Sequence, residues 1–161
     1  MAFTDKIRSA ADFLGMLVVE DNFRKLEFYS PHTNAKGKGL HTFFTNYGDC
    51  VYFMFVGDQL MKIGKAAAQQ GWMSRANQYK VGVDGDTTNK LILKNLKEMD
   101  RRVIEVLGIR TPRQQTTVGC VLTGVSETVE IEMAGTFEKM YTQRFLNENE
   151  ENFLPFCKQL K

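Results

Sequence analysis

Residues 50–56 (CVYFMFV) and 60–64 (LMKIG) are two short apolar runs joined through Gly57-Asp58, the pattern of a β-hairpin. Helical spacing prevails over much of the remaining chain. Residues 4–19 place Ile7, Ala10, Ala11, Leu14 and Val18 along one side of an amphipathic helix. KLEFYS reads as a short strand, and PHTNAKGKGLHTFFTNYGD as a turn-rich connection long enough to hold an exposed binding loop. In AAAQQGWMSRANQYK, Trp72, Ala76 and Tyr79 recur at i, i+4 and i+7, which predicts a helix that Gly71 bends or splits. VGVDGDTTN is a loop. Residues 89–107 carry the clearest helical stripe, with Ile92, Leu96, Met99, Val103 and Leu107 on one side. TVGCVLTGV predicts a third strand, and residues 128–146 a last helix built on Val129, Met133, Phe137, Tyr141 and Phe145. Strands and helices mix without βαβ alternation. The predicted fold is therefore α+β: a small, mainly antiparallel, three-stranded central sheet flanked by helices, with an N-terminal helix/strand extension.

The hairpin sets a register problem. Side chains alternate faces along a strand, so Val51, Phe53 and Phe55 share one face while Tyr52 and Met54 share the other. On the second strand, Met61 and Ile63 oppose Leu60, Lys62 and Gly64. With the odd-numbered residues of both strands facing the core, Tyr52 and Lys62 emerge together on the opposite face. That arrangement needs paired residue numbers with an even sum. It favours a three-residue loop around Gly57 or Asp58 over a two-residue turn. By itself a strand tyrosine beside a solvated lysine requires no function.

The size of the chain, 161 residues, suits one domain with a substantial core. Its 43% hydrophobic and 25% charged residues are ordinary for a globular protein. No apolar stretch approaches the ~18 residues of a membrane span. Cys50, Cys120 and Cys157 are widely spaced and form neither a CxxC zinc pattern nor a disulfide framework, which points to a reducing, cytoplasmic setting. The net charge of +2 is unevenly spread. Residues 65–115 hold ten basic and five acidic groups, whereas residues 116–161 hold four and seven. A basic middle fits a polyanionic partner, though a solvated helix face looks similar and is the reading that charge alone favours.

Read in order, the chain presents Tyr52, then Lys62-Ile-Gly64-Lys65, then Arg75 with Tyr79 four residues on, and finally Glu138 in FEKMYTQRF. This ordered set resembles the GIY-YIG nuclease superfamily over roughly residues 50–150. CVY stands for the first motif, with Cys50 and Val51 in place of Gly-Ile. KIG stands for the second, with Lys62 in place of the first tyrosine, as in one branch that includes restriction-type enzymes. The superfamily's helix-borne arginine falls on Arg75, its following tyrosine or histidine on Tyr79, and its late glutamate on Glu138. Asn147, Asn149 and Asn152 compete for its late asparagine. The resemblance implies a single domain over 1–161, with a nuclease core at 50–150 and an N-terminal extension, 1–48, that contacts DNA.

The residue types suit phosphodiester hydrolysis, which needs an activated water, neutralised phosphate charge and a stabilised leaving oxygen. A free phenol ionises near ~10, and a nearby cation lowers that value. Tyr52 is thus the expected general base, aided by Lys62 and Lys65. Arg75 can clamp a phosphate through two parallel hydrogen bonds, and Tyr79, on the same helix face, can bind the phosphate or orient the water. Glu127, Glu130, Glu132 and Glu138 compete as ligands for Mg²⁺ or Mn²⁺, and the resemblance selects Glu138; one such carboxylate suffices, since Mg²⁺ accepts one or two and keeps several waters. Gly64 would let the backbone approach closely. Lys90, Lys94, Lys97 and Arg101 are expected to meet DNA phosphates, and His41 to lie in a substrate loop. The expected function is a metal-dependent endonuclease of restriction or phage type, acting on double-stranded DNA as a homodimer or by two sequential cuts. A nucleic-acid-binding module that kept the scaffold and lost catalysis is the alternative.

Overall fold

The computed structural model describes residues 3–33, 39–66 and 71–110, together with the backbone of two short strands at 116–118 and 121–123. Helix α1 (Phe3–Ala10) leads into β1 (Asp12–Glu20), which turns back through Asp21–Arg24 into β2 (Lys25–Tyr29). Helix α2 (Leu40–Tyr47) precedes the hairpin strands β3 (Cys50–Val56) and β4 (Gln59–Ala66). Then come α3 (Trp72–Lys80), a 3₁₀ turn (Gly82–Asp84), α4 (Thr87–Met99) and β5 (Val103–Arg110). Five strands form one sheet in the order β2-β1-β5-β3-β4, with every neighbouring pair antiparallel. The protein is thus an α+β fold with an antiparallel sheet flanked by helices. Strands β6 (Thr116–Val118) and β7 (Val121–Thr123) pair as a separate two-stranded ribbon.

The sheet has five strands where three were expected, for two physical reasons. The helix predicted over 4–19 stops at Ala10, and residues 12–20 are a strand. A bulge between Phe13 and Gly15 shifts the strand's phase, so that Leu14 and Leu17 both face the core. Buried residues three apart then mimic a helical period. The helix predicted over 89–107 likewise stops at Met99, where Asp100 takes the left-handed conformation (φ 51) that glycine or asparagine usually supplies. Residues 103–110 are β5. The predicted third strand, TVGCVLTGV, belongs to the small ribbon instead. Within the expected loop after β2, LHTFFTNY folds as α2 because Phe44 buries itself in the core against Phe28. The helix predicted over 128–146 lies outside the described residues.

Both sheet faces are covered at β3, every residue of which is buried. On one face Tyr52, Met54, Ile104, Val106, Leu14 and Leu17 pack beneath Phe44, Trp72, Ala76, Tyr79, Ile92 and Leu96 of helices α2–α4. On the other, Val51, Phe53, Phe55, Leu60, Ile63 and Leu107 cluster with Ile7 of α1. A continuously buried strand explains why the run CVYFMFV is apolar on both sides. Tyr52 therefore does not emerge from the protein as the alternation alone suggested; it is 2% exposed.

The hairpin solves its register problem in an unexpected way. The turn is the two-residue one, Gly57-Asp58, with Val56 paired to Gln59 and Gly57 at φ 60, the conformation a type II′ turn asks of its first central residue. A bulge beyond Phe55↔Leu60 then adds one residue to β4. From Met54↔Lys62 onward the pairing has the even sum that the hydrophobic pattern demands. Tyr52 faces Gly64, with Lys62 on the diagonal.

Candidate active site

The chemistry-bearing side chains gather where β3 and β4 run beneath α3. A cleft of about 220 Å³ is lined by Tyr52, Lys62, Gly64, Lys65, Arg75 and Tyr79, and by Gln78, Asp86, Thr88 and Asn89. Tyr52 rises from the sheet between Trp72 and Tyr79. Its ring is edge-on to Trp72, with centroids 4.9 Å apart, and its hydroxyl oxygen lies 2.6 Å from that of Tyr79. The close approach depends on Gly64. A methyl group at that position would fall on the ring and hydroxyl of Tyr52, so only glycine leaves the phenol room to lie across β4.

The two hydroxyls form a coupled pair. Burial above all, then the negative charge of Tyr52 and the hydrogen bond to it, push the ionisation of Tyr79 well above the ordinary phenol value, against a smaller pull from Arg75. Tyr79 is therefore disposed to hold its proton, and either hydroxyl can be the donor between the two. Arg75 is held in place by two hydrogen bonds of 3.0 Å: its Nε donates to the Lys65 carbonyl and one terminal nitrogen to Gln78 Oε1. A guanidinium has five N–H groups, so donors remain for a phosphate. The two lysines differ. Lys62, opposite Met54, is on the Tyr52 face of the sheet, whereas Lys65 pairs with Val51 and so belongs to the other face. What Lys65 demonstrably contributes is the carbonyl that orients Arg75.

Gln78, Asp86, Thr88 and Asn89 are cleft residues that sequence reasoning missed. They come from the end of α3 and the start of α4. Asp86 caps α4 by accepting from the Asn89 backbone N–H at 3.0 Å, a role that the order Asp-Thr-Thr-Asn could have signalled. Asn89, 4% exposed, donates from its side chain to the Gln78 carbonyl at 2.7 Å and so ties α4 to α3 beside the cleft. Replacing Asn89 with alanine leaves that carbonyl without its donor. The expected loss is about 1–3 kcal/mol of stability, measured by urea unfolding. An unchanged unfolding midpoint would show that the tie carries no weight.

The remaining expected residues are more scattered. Lys90, Lys94 and Lys97 are exposed along α4, a row that begins directly after Asn89, and Arg101 is exposed just beyond the helix. His41 is exposed in the first turn of α2 and does not line the cleft. Glu138, Asn147, Asn149 and Asn152 lie outside the described residues, as do Cys120 and Cys157. Among the described residues no three His, Cys, Asp or Glu side chains cluster to hold a metal ion. The cleft's oxygen donors, namely the Asp86 carboxylate, the Thr88 hydroxyl and the Gln78 amide, are of the hard class that Mg²⁺ prefers. No helix among the described residues is long and apolar enough to cross a membrane.

No protein-family model and no curated protein matches the sequence. Among solved structures, the chain is similar to a restriction endonuclease, HPY188I, in complex with product DNA, with a TM-score of 0.57 over 87% of this chain and 81% of that one. The two sequences are 18% identical, so what they are shown to share is the fold.

Proposed function

We propose that the chain is a metal-dependent DNA endonuclease of the GIY-YIG kind. The observation that carries this reading is the meeting of Tyr52, Lys62, Arg75 and Tyr79 around one cleft, although 27 positions separate the first from the last. The shared fold with a restriction endonuclease solved on product DNA supports it. In this reading Tyr52 removes a proton from the attacking water. Lys62 supplies positive charge on the same sheet face, and Tyr79 stabilises the Tyr52 oxygen by donating to it. Arg75, braced by the Lys65 carbonyl and Gln78, clamps the scissile phosphate. Glu138 is the proposed metal ligand, joined by the cleft's oxygen donors. A bound Mg²⁺ would neutralise charge on the phosphate and the departing oxygen. The exposed row Lys90, Lys94 and Lys97 would meet the phosphate backbone beside the cleft.

The test is plasmid cleavage by the purified protein with Mg²⁺ or Mn²⁺, beside a Glu138→Ala variant. Metal-dependent cutting by the parent protein, reduced at least ~100-fold in the variant, is expected for loss of such a ligand. Equal cutting by both would remove Glu138 from the metal site. Salt-sensitive DNA binding with no cutting by either would identify a binding module in place of an enzyme.

A further inference from the structure

A second cleft, of about 430 Å³, is bounded by the start of β1, the segment after β2, α2 and the end of β5; it shares no lining residue with the first. Its wall is a row of planar groups. His32 stacks on Phe43 with centroids 4.0 Å apart and planes within 3°. Phe43 is followed at 6.1 Å and 21° by Tyr47, and the Arg110 guanidinium lies 5.2 Å from the Tyr47 ring centre. Hydrogen bonds anchor both ends of the ring series. His32 Nε2 donates to the Phe13 carbonyl at 2.7 Å, because a carbonyl can only accept, and the Tyr47 hydroxyl donates to Asp12 Oδ2 at 2.7 Å. Burial and the Asp12 carboxylate raise the ionisation of Tyr47, so that it remains a donor. Phe13, also in this cleft, stays 38% exposed.

The rings cover one another's facing sides, so a flat ligand would extend the row at an outer face, and the polar groups beside it narrow the ligand's chemistry. Asp12 and Arg110 bring one negative and one positive charge to the cleft, so it holds no net attraction for phosphate. A carboxylate, with about four lone-pair sites, can accept from a ligand as well as from Tyr47. Among nucleobases, guanine presents two adjacent N–H donors to a carboxylate and two acceptors, O6 and N7, to an arginine. Base stacking on aromatic and guanidinium planes is the usual mode by which proteins hold unpaired nucleotides.

We propose that this second cleft binds an unpaired nucleobase, guanine in preference to the others, stacked on the His32–Phe43–Tyr47 row and read by Asp12 and Arg110. The base would come from a single-stranded or locally opened segment of DNA. The proposal rests on the reading of the chain as a DNA-acting protein only for that source.

Binding of the full chain to labelled oligothymidine carrying one central deoxyguanosine tests it, by anisotropy in EDTA so that nothing is cut. The comparison strands carry deoxyinosine, which lacks the 2-amino group, or thymidine at that position. The parent protein should bind the guanine strand about tenfold more tightly than either. Asp12→Asn should bring the three affinities together, and Arg110→Lys, which keeps the charge and loses the fork, should narrow the gap. Equal binding of all three strands by the parent, a preference that survives Asp12→Asn, or no binding of any strand would each overturn the proposal. A protein that prefers guanine yet cuts no plasmid would keep this site and reject the nuclease. One that cuts plasmid and binds the three strands alike would do the reverse.

Discussion

Tyr52→Phe should abolish plasmid cleavage while leaving the fold and DNA binding close to those of the parent protein. The substitution keeps a ring that packs edge-on against Trp72 at 4.9 Å and removes only the oxygen that lies 2.6 Å from Tyr79. Loss of a positioned general base lowers turnover by roughly a hundred- to ten-thousand-fold. The deficit should appear in kcat, with affinity for DNA measured in EDTA little altered. Stability should fall by no more than about 1–3 kcal/mol, because Tyr79 loses its buried partner. A variant that cuts at more than half the parent rate would reject Tyr52 as the base. One that fails to bind DNA would mean that the hydroxyl serves the architecture and not the reaction.

Gly64→Ala is the second large effect, and it follows from packing. The added methyl group meets the Tyr52 ring and hydroxyl, and the ring is itself confined by Trp72 and Tyr79. Forcing an extra carbon into so closed a space costs about 1–3 kcal/mol. It also displaces the phenol from Tyr79, so cleavage should fall nearly as far as in Tyr52→Phe. The cause can be isolated. If the clash is with Tyr52, combining Gly64→Ala with Tyr52→Ala should destabilise by less than the sum of the two changes, because the methyl enters space the ring has left. Strict additivity in denaturant unfolding would locate the strain elsewhere.

These expectations depend on a hairpin whose residues the sequence grouped before its geometry was known. The sequence order of Tyr52, Lys62, Arg75 and Tyr79 pointed to one site, and the alternation of apolar residues required an even register. The pattern could not reveal how the register is reached, because a two-residue turn followed by a bulge satisfies it as well as a longer loop. Bulges also hid β1: Leu14 and Leu17 point the same way across the Phe13/Gly15 irregularity, and their spacing imitates a helix. Strand β5 was concealed differently. Val103 and Leu107 extend the helical spacing, three or four residues, of Ile92, Leu96 and Met99, and Asp100 ends α4 with neither glycine nor proline to announce it. The far wall of the cleft was missed because Gln78, Asp86, Thr88 and Asn89 sit at the facing ends of two helices, off the apolar stripes by which those helices were read. Why a glycine must follow Lys62 and Ile63 became evident only when Tyr52 was seen lying across it.

The chain's single tryptophan is Trp72, fully buried between the ring edges of Tyr52 and Phe28. Tryptophan fluorescence therefore originates at one point, in contact with the phenol on which the proposed chemistry turns. Emission wavelength and intensity become an optical gauge of that phenol's position, readable without labels in the same cuvette as a cleavage assay.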